Sequence, residues 1–103
     1  MEKVYEIVIG LNDKDTKQQK ISTVEAYKIT ENLLCHHIGG GSIFEGMGIY
    51  THADSTIVRE RSLSVKTSTD NHQSVLDFVA AVKAALNQES VYVQQMEVNV
   101  SFI

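Results

Sequence analysis

Tyr5, Ile7, Ile9 and Leu11 take every second position near the start of the sequence, with Val4, Glu6, Val8 and Gly10 between them. A period of two predicts a strand with one face on a core. Asn12 to Lys20 (NDKDTKQQK) is polar throughout and reads as a solvated loop. Ser22 followed by Glu25 has capping-box spacing, so a helix is predicted from there. Val24, Ala26, Tyr27, Ile29, Leu33 and Leu34 form its apolar stripe, and Gly39, Gly40 and Gly41 end it after His37. Ser42 to Thr51 (SIFEGMGIYT) favours a strand, although Gly46 and Gly48 fall on one face and point to a close approach there. After a polar link from His52 to Thr56, Ile57 to Thr67 (IVRERSLSVKT) is its antiparallel partner, with Leu63, Val65 and Thr67 on one side. Val75, Phe78, Val79, Val82 and Leu86 then follow helical spacing behind a capping Asp70 and Gln73. Met96, Val98, Val100 and Phe102 alternate with Gln95, Glu97, Asn99 and Ser101 in a last strand with one dry face and one wet one.

The predicted order is β-α-β-β-α-β. Two helices on one face of a four-stranded antiparallel sheet bury both stripes and keep each crossover right-handed, so the expected fold is an α+β, ferredoxin-like sandwich. Its second sheet face stays open and carries Val8 and Glu6 with the polar residues of the last strand. That mixture is too polar for a core and apolar enough for a partner, which favours a homo-oligomer, either a homotrimer or a homodimer.

Composition narrows the function classes. At 103 residues, 43% hydrophobic and 21% charged, the chain is one globular domain with no room for a second. A net charge of -4 with scattered Lys and Arg offers no field to gather phosphate backbones, so nucleic acid is not an expected partner. No apolar run approaches the roughly 20 residues that span a bilayer, and export is not expected. The single cysteine, Cys35, fits a reducing compartment, and the expected location is cytoplasmic.

Four places carry candidate chemistry. Cys35, His36 and His37 put a thiol beside two imidazoles, a soft ligand set for Cu(I) or Zn(II). Adjacent helical residues point about 100° apart, so the expectation is no metal and a buried Cys35 at a solvated helix end. The glycines of GGGSIFEGMG leave a helix and enter a strand, the reverse of a phosphate loop, and no cofactor motif is present. Arg59, Glu60 and Arg61 are the densest charge cluster, and a strand sends both arginines to one side and the glutamate to the other. Two guanidiniums so placed can hold a carboxylate or phosphate, or pair across a subunit contact. With Gly46, Gly48 and Tyr50 they form the expected ligand site; Tyr27 and Tyr50 otherwise read as packing residues with a polar tip. No nucleophile with a base at a telling spacing is visible.

Gly10 and Leu11, Gly46 to Tyr50 (GMGIY), Ile57 to Glu60 (IVRE) and Gln88 to Val91 (QESV) resemble, in order and spacing, an uncharacterised bacterial family of small domains. Cys35, Ser42 to Phe44 (SIF), and Lys66 with Thr67 are more loosely similar to the PII and CutA group. That likeness implies ferredoxin-like trimers that bind nucleotides or metal ions. The expected function is therefore a homo-oligomeric binding or regulatory module for a small anionic ligand or a protein. The alternative is a small ferredoxin-like enzyme with a pocket between sheet and helices.

Overall fold

The computed structural model describes residues 2–51 and 53–103. Its elements run β1 (Lys3–Gly10), α1 (Thr23–His37), β2 (Ser42–Thr51), β3 (Ile57–Thr69), α2 (His72–Ala85) and β4 (Tyr92–Glu97). The strands form one antiparallel sheet in the order β2-β3-β1-β4, the ferredoxin-like arrangement that the alternation predicts. β1 lies inside the sheet because its odd positions are its most apolar: Tyr5, Ile7 and Ile9 are fully buried against the helices. Leu63 and Val65 of β3 stand beside them, and Ala26, Leu34, Val75, Phe78 and Val82 close the core from the two helices.

The helix boundaries follow from their caps. Ser22 accepts the Glu25 amide through its hydroxyl at 3.1 Å and starts α1. Thr30 is buried in mid-helix and returns its hydroxyl to the Ala26 carbonyl at 2.8 Å, which lets a polar side chain sit in the core. The cap of α2 is Asn71, not Asp70: the Asn71 side chain accepts from the Ser74 amide at 3.2 Å. Gly39 takes a positive φ of 108° after α1, and Gly41 lets the backbone approach the Lys66 carbonyl where a Cβ would stand 2.7 Å away. Thr67 ties this turn to β3 by donating to the Gly40 carbonyl at 2.7 Å.

Three further expectations change. Val24 of the α1 stripe is exposed, because it lies in the first turn, ahead of Ala26, Thr30 and Leu34, which make the buried contact. Cys35 is exposed rather than buried, being one residue past the core-facing Leu34. The last strand begins earlier and ends at Glu97, so Val98, Val100 and Phe102 belong to no strand, and Met96 and Val98 are not dry. The reason is register: Glu97 pairs with Lys3, where β1 begins, and the pattern outruns its partner. His52 of the polar link lies outside the described residues.

β2 and the first half of β3 extend past the helices. Met47, Ile49 and Ile57 have the parity of the helix side yet are exposed, since no helix reaches them. The chain is correspondingly long, 46 × 26 × 22 Å, with a radius of gyration of 14.3 Å against about 13 Å for a compact chain of this length. No helix among the described residues is long and apolar enough to cross a membrane.

Candidate functional site

Parity places Glu60 on the open sheet face. Its neighbours Arg59 and Arg61 pair with Ile49 and Met47 and point to the other side, as strand geometry requires. Opposite Glu60 on β2 stands Gly48, which contributes no side chain, so the carboxylate has room to bend. It bends toward β1, where Oε2 accepts the Asn12 amide at 2.8 Å. This brings the carboxylate over Gly10, where any Cβ would meet its three terminal atoms at 2.6 to 2.7 Å. Gly10 is thus a seat: a larger residue there expels the carboxylate. Gly46 and Gly48 are looser, with a Cβ meeting Ser62 Oγ at 3.3 Å and the Glu60 carbonyl at 3.6 Å.

Asn12 is itself held from beneath. The Gln88 side chain, 7% exposed, donates to the Asn12 carbonyl at 2.8 Å and to the Leu86 carbonyl at 3.2 Å. Gln88 follows Asn87, whose positive φ of 48° turns the chain out of α2. Asn87 clips the 12–19 loop by donating to Asp13 Oδ2 at 2.8 Å and Asp15 Oδ2 at 3.0 Å, while its carbonyl accepts the Lys14 amide at 3.0 Å. Asp13 Oδ1 accepts the amides of Asp15 and Thr16, a local turn that favours its charged form. These bonds, the Asn87 amide foremost and then the Thr16 amide, pull the Asp13 carboxyl down to about 2. The loop expected to be merely solvated is therefore a fixed arm.

The arm closes one side of a cleft of about 490 Å³ at the end of the sheet. Gly10, Asn12 and Glu60 form its floor, Tyr50 and Val58 one wall, and Lys14, Lys17 and Glu89 its rim. Tyr50 pairs with Val58, one step from the Gly48–Glu60 pair, so its ring and the carboxylate are diagonal neighbours roughly 7 to 8 Å apart at the backbone. Among the described residues Glu60 joins no ion pair, its partner being an uncharged backbone amide. A second cavity, of about 550 Å³, is larger but lies at the other end of the sheet, between Gly39–Gly41 and the Val100–Phe102 segment. Lys66 is its one charged lining residue, so the chemistry lies with the smaller cleft.

The expected site residues thus part company. Glu60, Gly48 and Tyr50 meet at the cleft; Gly46 lies one pair further along the same face; Arg59 and Arg61 are exposed on the opposite side. His36 and His37 stack edge to face at 4.7 Å, and the described residues hold no group of three or more His, Cys, Asp or Glu able to bind a metal. His72 is engaged elsewhere, its Nδ1 2.9 Å from the hydroxyl of the buried Tyr5. Sequence reasoning missed Gly10, Asn12 and Gln88 as parts of a site. The signal for Gly10 was present: a glycine on the open face of a strand that otherwise has no need of one.

No protein-family model matches this sequence. No curated protein matches it either. Among solved structures, the fold is similar to a phage SAM lyase in complex with S-methyl-5'-thioadenosine, with a TM-score of 0.65 and 21% identity over 93% of this chain and 81% of that one. The same kind of lyase in its apo state gives 0.64 and 20%, over 91% and 78% of the two chains. The de novo designed protein Foldit4 gives 0.53 and 14%, over 96% of this chain and all of that one. At these identities the likeness is one of fold.

Proposed function

We propose that this chain is a homo-oligomeric small-molecule-binding domain whose cleft takes a nucleoside with a cationic centre, of the S-adenosylmethionine class. The observation that carries the reading is the Glu60 carboxylate, held over Gly10 by a hydrogen bond from the Asn12 amide and, among the described residues, left without a cationic partner. A half-buried carboxylate in that state attracts a positive group, since a facing charge within a few ångströms is stronger there than in open water. A sulfonium satisfies it, and Tyr50 offers a flat face for a base. The rim lysines Lys14 and Lys17 suit the carboxylate end of an amino-acid moiety. A shared fold does not carry function by itself. It adds weight here because the similar phage enzyme is a SAM lyase that holds S-methyl-5'-thioadenosine. A small anion remains the competing ligand, through the exposed Arg59 and Arg61 on the other face.

Isothermal titration with S-adenosylmethionine, S-methyl-5'-thioadenosine and ATP separates these readings. We expect S-adenosylmethionine to bind and Glu60→Gln to weaken it at least tenfold, while the neutral thioether loses much less. Binding of ATP alone, with loss on Arg59→Ala, would transfer the function to the arginines. Mass spectrometry of the same mixtures shows whether S-adenosylmethionine is also cleaved to the thioether, which distinguishes a lyase from a binder.

A further inference from the structure

The alternation of apolar and polar residues continues beyond the last strand with no strand paired to it, although Val100 and Phe102 line the cavity beside Gly39–Gly41. Val98, Val100 and Phe102 keep the parity of Met96, and Asn99 and Ser101 that of Glu97, yet the final ladder pair is Glu97 with Lys3. Residues 98–103 have strand chemistry and no strand, and Phe102 is 85% exposed.

On the far side of the sheet, β2 is an outer strand with its second edge bare. Ten consecutive pairs join it to β3 without a bulge, and SIFEGMGIYT contains one charge, no lysine and no proline. Those are the devices that normally protect a free edge, and their absence leaves a template for another strand. Phe44, Met47, Ile49 and Tyr50 stand exposed along it.

We infer that residues 98–103 of one copy add as a strand to the free edge of β2 in a second copy. Side chains and charges agree with that match. In a continuous sheet Val98, Val100 and Phe102 fall on the open face with Phe44 and Tyr50. Glu97, at the root of the segment, falls on the helix side, where it pairs with Lys3 of its own copy at 3.7 Å, and the neighbour's Arg59 and Arg61 lie exposed on that same side. The apolar side chains exposed along each edge offer on the order of 500 Å², so one contact covers on the order of 1,000 Å² in total, the lower bound of a specific interface. Donor and acceptor sit on opposite edges, so the contact is head to tail, and it gives a ring where the rotation between copies closes. This inference concerns the assembly surface and does not depend on the ligand reading.

Light scattering after size exclusion, without ligand, tests it on the whole chain, on a chain ended after Glu97, and on Ile49→Lys. The expected result is a multiple of 11.5 kDa for the whole chain and the mass of a single chain for each variant, with unchanged circular dichroism. A whole chain at 11.5 kDa overturns the inference. So does a shortened chain that keeps the oligomer mass, which would point to the open sheet face instead. Should either variant fail to fold, hydrogen exchange on the whole chain decides. Protection of the Asn99 and Ser101 amides that rises with protein concentration supports strand addition, and exchange at the rate of a free peptide refutes it.

Discussion

Gly10→Ala adds one methyl group where the Glu60 carboxylate now rests, 2.6 to 2.7 Å from its terminal atoms. Backbone cannot yield there, but the end of a glutamate can, so the carboxylate swings away and loses the Asn12 amide. A hydrogen bond to a charged group is worth about 1.5 to 3 kcal/mol when well buried. Glu60 is half-buried, which reduces this to about 1 kcal/mol, and replacing a strand glycine with alanine returns roughly 0.5 to 1 kcal/mol. The net change in stability is therefore within about 1 kcal/mol, while affinity for S-adenosylmethionine falls at least tenfold, about 1.4 kcal/mol. Urea denaturation and titration calorimetry on the same sample read the two quantities separately. A double-mutant cycle sharpens the test: in a Glu60→Ala background, Gly10→Ala becomes neutral or slightly stabilising, because nothing is left to displace. If Gly10→Ala still costs more than about 3 kcal/mol in that background, the methyl meets something other than the carboxylate. If affinity survives Gly10→Ala unchanged, Glu60 is not the ligand's anchor.

Phe78→Ala empties a fully buried site between α2 and the sheet and should cost about 3 to 5 kcal/mol in a denaturant melt. Gln88→Leu leaves the Asn12 carbonyl without its donor and should cost about 1 to 3 kcal/mol; faster hydrogen exchange at residues 13–18 would show that the arm has come loose. Asp13 has a folded pKa of about 2, below its unfolded value, so its contribution is complete above about pH 4 and is lost as pH falls toward 2. An acid titration followed by loop-specific NMR shifts should show this step in the native chain and not in Asp13→Asn.

The fold was legible because each element states its own period. Tyr5, Ile7 and Ile9 name their face without help from any other part of the chain, and Val75, Phe78 and Val82 do the same at helical spacing. Caps are less certain: Asp70 and Asn71 are both good capping residues, and only the path of the chain out of β3 selects Asn71. Strand length is a different kind of property. Whether Val98 to Phe102 is a strand depends on a partner, and β1 has ended by then, so an alternation that is perfect locally yields no ladder.

The site shows the same division between local and paired information. That Glu60 faces away from Arg59 and Arg61 follows from parity alone, and the charge cluster was correctly split on that basis. Its partners do not follow from parity, because Gly10 and Asn12 reach it only through the β1–β3 register, in which Gly10 stands opposite Ser62. A slip of one residue would turn Glu60 toward the helix side and offer it the apolar face of β1 instead. The hydrophobic pattern of β3 forbids that slip, since it would turn Leu63 and Val65 out of the core to water. Core packing therefore fixes the position of the one carboxylate in the cleft floor. It follows that conservative core changes which preserve register, such as Ile7→Val, should leave ligand affinity intact even as they cost about 0.5 to 1.5 kcal/mol of stability.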